Sequence, residues 1–188
     1  MNTTTTSPLL QKPSNGRIAL LVTLGTESVF FLTLLVAYAA LRNQVDWNVS
    51  HSFARLSIPL VNTMVLLLST YIAWRALHSV RQSNPSALQN GLLITVILGV
   101  VFVAGQIYEF NHAGLQIDDQ AFGGVFFTLI GFHAVHVLAG IVFLVLNLIR
   151  AYLNDFTTDH HEAVELGNWF WYYVTAVWLV LFAALYLL

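Results

Sequence analysis

The chain reads as an all-α, polytopic membrane protein, a bundle of five transmembrane helices, and three observations predict this. Of its 188 residues 57% are hydrophobic and only 9% are charged, with a mean hydropathy of +0.73, values outside the range of soluble domains. Five apolar runs, at 17–41, 56–77, 90–110, 122–149 and 169–188, each reach the roughly 20 residues that a spanning helix needs. Between them lie short polar segments rich in Asn, Asp, His and Pro, at 42–55, 78–89, 111–121 and 150–168. The organisation expected is a disordered cytoplasmic tail at 1–16 and a single membrane domain at 17–188.

The tail, MNTTTTSPLLQKPSNG, is polar, low in complexity and broken by Pro8 and Pro13. It has no apolar stretch suited to a cleavable secretory signal. In the helices that follow, a spacing of 100° per residue gathers the polar and small side chains onto one face each. That face is where helices are expected to touch, because lipid supplies little hydrophobic force between them. On the first helix the face holds Thr23, Glu27, Leu34 and Tyr38, and on the second Asn62, Ser69 and Ala73. The third presents Thr95, Gly99, Gln106 and Glu109, and the fourth His133, His136, Gly140 and Asn147. The last presents Asn168, Trp171, Thr175, Phe182 and Tyr186. Trp47, Trp74, Trp169 and Trp171, with Tyr71, Tyr108 and Tyr172, fall mostly near helix ends and read as an interfacial anchoring belt.

Five crossings put the termini on opposite sides, and basic residues set the orientation. Lys12, Arg17, Arg75, Arg81 and Arg150 share one side, against Arg42 and Arg55 on the other, so the N-terminus is expected in the cytoplasm. Net charge is −2 and the few cations are scattered, which argues against nucleic-acid binding. The absence of cysteine excludes disulfides, iron–sulfur clusters, thioether-attached haem, thiolate zinc sites and paired-cysteine copper centres.

Glu27 is the one acidic side chain deep within an apolar run, about 15 Å along the helix from Arg17. A carboxyl group at that depth costs several kcal/mol unless it is protonated or partnered. Two readings follow: a neutral acid that fixes packing against a neighbouring helix, or part of a proton or lipid path. His133 and His136, one turn apart near mid-membrane, could in principle grip a metal or haem. A haem held between helices would need a second histidine at matching depth, whereas His78 is at a helix end and His51, His112, His160 and His161 lie in loops. Structural packing is therefore the expectation for the pair. His160, His161, Glu162 and Glu165 could form a surface metal site, though loop histidines of this kind are usually solvated. Glu109, near an outer helix end, calls for no special role.

In chain order these residues become recognisable. GFHAVHVLAGIVFL at 131–144 closely resembles the G-F-H-G-x-H-V-x-x-G segment of subunit III of haem-copper oxidases. TESVFFLTLLVAY at 26–38 resembles that family's S-E-x-x-F-F helix, PLVNTMVLLLSTYIAW at 59–74 its P-L-L-N-T helix, and GQIYEF at 105–110 its Q-x-x-E-[YF] segment. Arg150 followed by His160, His161 and Glu165 reproduces the family's spacing from arginine to H-H-x-x-x-E, and WFWYYVTAVWLVLF at 169–182 resembles W-Y-W-H-F-V-D-V-V-W-L. The likeness runs from Arg17 to the C-terminus in one order.

The resemblance implies a short, five-helix bacterial form of a subunit that often has seven helices, without the first two. It implies a chain with no catalytic residue, metal or cofactor of its own, packed against the large haem-copper subunit I, with subunit II and phospholipid as further partners. The complex would lie in the bacterial inner membrane, take electrons from cytochrome c and reduce oxygen to water with proton pumping. The subunit would stabilise the catalytic chain, hold phospholipid and assist proton uptake. By the same resemblance Glu27 takes the place of a carbodiimide-reactive glutamate beside a lipid cleft, and Arg150 that of an arginine meeting a lipid phosphate, a sensible task for a guanidinium at a helix end. Asn62, Gln106, Glu109, His133, His136, His160, His161 and Glu165 are the remaining polar motif positions. Tyr172 and Thr175 stand where the family has histidine and aspartate, and Ala134 where it has glycine, which weakens a polar cluster. Two other functions are weighed: a subunit III-like component of a quinol oxidase or nitric oxide reductase, and an autonomous proton-coupled carrier built on Glu27. The carrier is disfavoured by the lack of an inverted repeat or broken helix.

Overall fold

The structure, a computed structural model, describes residues 14–42, 53–82, 84–112, 120–157 and 160–187. Nearly all of the expected tail, with Lys12, and also Trp47 and His51, lie outside the described residues. Five helices follow in order: α1 Asn15–Arg42, α2 Phe53–Arg81, α3 Pro85–His112, α4 Gln120–Tyr152 and α5 Glu162–Phe182, the last running into a π-helical turn, Ala183–Leu187. Among the described residues there is no strand. All five helices are long and apolar enough to cross a membrane.

Helices α2 to α5 form a closed ring of contacts, α2 on α3, α3 on α4, α4 on α5 and α5 back on α2, while α1 packs from outside on α4 and α5. The main core, including Leu66, Leu92, Phe102, Val137, Leu144, Trp171 and Trp178, fills that ring. A second cluster of Phe31, Tyr38, Leu129, Leu181 and neighbours seals α1 against it.

Several helices reach beyond their apolar runs, and each extension has a local cause. α3 starts at Pro85 instead of 90, because Asn84 caps it: the Ala87 N–H donates to Asn84 Oδ1 at 3.1 Å, and Pro85 takes the first helical position, where no N–H is missed. α1 is capped in the same way by Ser14, whose Oγ accepts from the Arg17 N–H at 3.2 Å. α4 carries Arg150 in its last turn and ends through Asn154, which adopts φ 56°, the left-handed conformation that asparagine tolerates. α5 starts at Glu162 instead of 169, so the last seven residues of the polar segment expected to be loop, 162–168, are helix. Glu165, Gly167 and Asn168 in that segment are buried.

The α2–α5 contact accounts for part of the polar stripe on both of these helices. Asn168 Nδ2 donates to the Ala73 carbonyl at 2.9 Å, Trp171 Nε1 to Ser69 Oγ at 3.1 Å, and Trp178 Nε1 to Thr63 Oγ1 at 2.9 Å, while the Thr70 and Thr175 hydroxyls meet at 2.8 Å. Trp171 therefore departs from the anchoring belt. It is fully buried, in space left by two glycines: an added Cβ would lie 2.8 Å from its ring at Gly99 and 2.9 Å at Gly140. Trp74, Tyr71 and Tyr108 do stand exposed on the surface, as an anchoring role needs.

Candidate functional site

Glu27 sits near the middle of α1, about 18 Å from Asn15 by helical rise, and His136 near the middle of α4. The α1–α4 packing brings them together, with His136 Nε2 3.1 Å from Glu27 Oε2. The other ring nitrogen, Nδ1, lies 2.7 Å from the Phe132 carbonyl, one turn back on the same helix. A carbonyl only accepts, so Nδ1 carries a hydrogen. One proton is then left between Nε2 and Oε2, held as carboxylic acid against neutral imidazole or as carboxylate against imidazolium. Either way the pair is neutral overall, which is how a carboxyl and an imidazole coexist at mid-membrane. The Phe31 ring meets the His136 ring edge-on at 5.1 Å and closes one side. Ser28 Oγ donates to the Leu24 carbonyl at 2.7 Å and lies 3.4 Å from the Tyr173 hydroxyl on α5. Glu27 keeps a third of its side-chain surface exposed and His136 about 15%, so the shared proton sits at the rim of the bundle.

His133 has a different setting. It is buried at 1% exposure, stacked on Trp178 at 5.1 Å and edged by Phe102 at 6.2 Å and Phe31 at 6.5 Å. Its neighbour His136 has both ring nitrogens engaged, so the two histidines present no paired donor set. Among the described residues no group of three or more His, Asp or Glu is arranged to hold a metal ion.

At the other polar positions the structure shows packing roles. Asn62 Nδ2 donates to the Phe102 carbonyl at 3.0 Å, and its amide fills the space that Gly105 leaves on α3. Gln106 is buried beside it on the same helix. Glu109 Oε1 accepts from the Tyr186 hydroxyl at 2.5 Å, tying α3 to the end of the α5 segment, so this carboxylate has a partner that its position near a helix end did not suggest.

A charged cluster joins the first turns of α1 and α5. Arg17 Nη2 lies 2.6 Å from Glu165 Oε2, its Nε 3.7 Å from Glu162 Oε1, and Ser14 Oγ bonds the same Glu162 oxygen. His161 Nε2 stands 3.4 Å from Glu165 Oε1. The expectation that Glu165 lies in a loop is corrected: it is helical, 8% exposed and ion-paired, because a buried carboxylate needs a cation. His160 is exposed in the turn before α5. Arg150 Nε meets Asp155 Oδ2 at 2.7 Å and its guanidinium covers the Phe156 ring at 4.9 Å, with about half of the side chain still exposed. Sequence reasoning missed Arg17, Ser28 and Tyr173 as site neighbours. The one available signal was Arg17 at the same helix depth as the acidic first turn of α5.

The comparison with known sequences completes the picture, since the family pattern described as Cytochrome c oxidase subunit III matches residues 14–188. The chain belongs to the cytochrome c oxidase subunit III family. Cytochrome c oxidase subunit 3 of Spodoptera frugiperda is 40% identical over 134 residues, covering 71% of this chain and 91% of that protein. Its counterpart in Drosophila melanogaster is 36% identical over 169 residues, covering 86% of this chain and 64% of the relative, and that of Ornithorhynchus anatinus 40% over 132 residues, covering 70% and 50%. The chain thus spans between half and two thirds of the length of the fly and platypus relatives. As a member of the subunit III family with five apolar helices it is an integral membrane protein.

Proposed function

We propose that this chain is the accessory, cofactor-free subunit III of a haem-copper terminal oxidase, a non-redox part of a complex that reduces oxygen to water. The family match along 14–188 carries this reading. Subunit I, bearing haem and copper, is its main neighbour, with subunit II and phospholipid as further partners, in a bacterial cytoplasmic membrane with the N-terminus inside. The donor set supports the lack of a metal on this chain: His133 is enclosed by aromatic rings and His136 is committed to Phe132 and Glu27.

Within that role the chain's own residues do three things. The α2–α5 ladder keeps the bundle rigid and so gives the catalytic subunit a fixed surface to lean on. Glu27 and His136 hold one transferable proton at the bundle rim, and its transfer between Oε2 and Nε2 needs no net charge to enter the membrane. Arg150, at the end of α4, offers a guanidinium to a lipid phosphate. The test is mild detergent purification from the native membrane, with an absorbance spectrum and peptide identification of the co-purifying chains. A-type haem with a large copper-bearing subunit supports the proposal. Quinol-oxidase partners or b-type haem alone would move the chain to that relative, and a lone colourless chain would reject the oxidase role.

A further inference from the structure

Outside the bundle, at the α2–α3 hairpin, lies a cleft of about 590 Å³ that the reading above does not use. Its floor is a close approach of the two helices, where a Cβ added at Gly91 would fall 2.6 Å from Ala76 Cβ. One wall is an aromatic ladder on α2, Tyr71 stacked on Trp74 at 6.0 Å and Trp74 against His78 at 5.2 Å. Toward the membrane interior the lining is apolar, with Leu68, Ile72 and Ile94. Toward the helix ends it is Arg75, His78, Ser79 and Gln82, and among the described residues no carboxylate lines it.

Arg75 distinguishes this cleft. Arg17 and Arg150 each hold a carboxylate of their own chain, whereas Arg75 makes no hydrogen bond or ion pair among the described residues and is exposed. It lies five residues before the end of the apolar span Ser57–Val80, about 7.5 Å along the axis, so its guanidinium reaches headgroup level with its stem against the apolar wall. A lone cation above an apolar trough, flanked by interfacial aromatic rings, is complementary to one molecule class: a phospholipid with a net negative headgroup.

We propose that the α2–α3 cleft holds one anionic phospholipid, its phosphate on Arg75 with His78 alongside and an acyl chain against Leu68, Ile72 and Ile94. The site is separate from that at Arg150, on a different helix pair. Native mass spectrometry of the chain, purified with the partners that accompany it and titrated with phosphatidylglycerol or phosphatidylcholine, tests it. Arg75→Gln weakens one phosphatidylglycerol about fivefold to tenfold, Arg75→Lys retains most of that binding, and Arg150→Ala leaves this lipid in place. Equal affinity of wild type and Arg75→Gln for phosphatidylglycerol, equal preference for phosphatidylcholine, or loss of a protein partner in place of a lipid would overturn it. Should Arg75→Gln not fold, brominated phosphatidylglycerol in vesicles is expected to quench the wild-type emission that Trp74→Phe lacks, and no such quenching overturns the proposal as well.

Discussion

At the residue scale the decisive contact is Glu27 with His136, since a carboxyl group and an imidazole 3.1 Å apart share one proton once Nδ1 is committed to Phe132. Glu27→Gln keeps the size and a hydrogen-bonding head, so the bundle is expected to assemble while losing the acid that a hydrophobic carbodiimide attacks. Mass mapping of the labelled chain checks this, and label retained on the Glu27→Gln protein would remove the acid from its assigned role. Arg150 gives a second residue-scale test: Arg150→Ala is expected to lose one bound phospholipid by native mass spectrometry, and an unchanged lipid count would contradict its assignment. Glu27's depth was legible from the sequence because an acid inside an apolar run is conspicuous. Its partner was not, because periodicity within one helix says which face is polar and nothing about which helix that face meets. The Arg17–Glu165 pair was hidden for a related reason: hydropathy puts Arg17 at the end of a run and Glu165 in a polar loop, although their 148-residue separation closes to 2.6 Å.

At the scale of elements, α5 is where expectation and structure differ most. In its first two turns Glu165 and Asn168 are polar in sequence but buried in the fold, because Glu165 is neutralised by Arg17 and Asn168 is bonded to Ala73. Trp171 misled for the opposite reason, since an indole near the expected helix end resembles an anchor until Gly99 and Gly140 are seen to make room for it. Two substitutions separate hydrogen bonding from packing in this contact. Thr63→Val, nearly unchanged in volume, removes the acceptor of the Trp178 N–H bond, worth about 0.6 to 1 kcal/mol in a membrane interior. Gly140→Val drives a branched side chain into Trp171 and is expected to cost about 1 to 3 kcal/mol. Thermal unfolding of the purified protein should rank Gly140→Val well below Thr63→Val, and the reverse order would show that polar contacts, not close packing, dominate the α4–α5–α2 core.

At the scale of the whole molecule, the five-helix count and the all-α class were legible from run lengths alone, whereas the arrangement of α1 outside a ring of α2 to α5 was not. That arrangement depends on side-chain complementarity between helices, which hydropathy averages away. The chain has no cysteine, so single introduced thiols report topology directly. With the N-terminus inside, an impermeant maleimide added outside intact cells is expected to label Asn111→Cys and spare Gln82→Cys, both exposed positions at opposite ends of α3 and the hairpin before it. Labelling of Gln82→Cys alone would invert the orientation. The central claim is that this chain is a metal-free companion of an oxygen-reducing subunit, and a cryo-electron microscopy map of the complex isolated from its native membrane tests it most directly. The expected map has this bundle packed on a haem-bearing neighbour, with His133 among its aromatic rings and His136 on Glu27. Iron or copper density bonded to either imidazole would contradict the account.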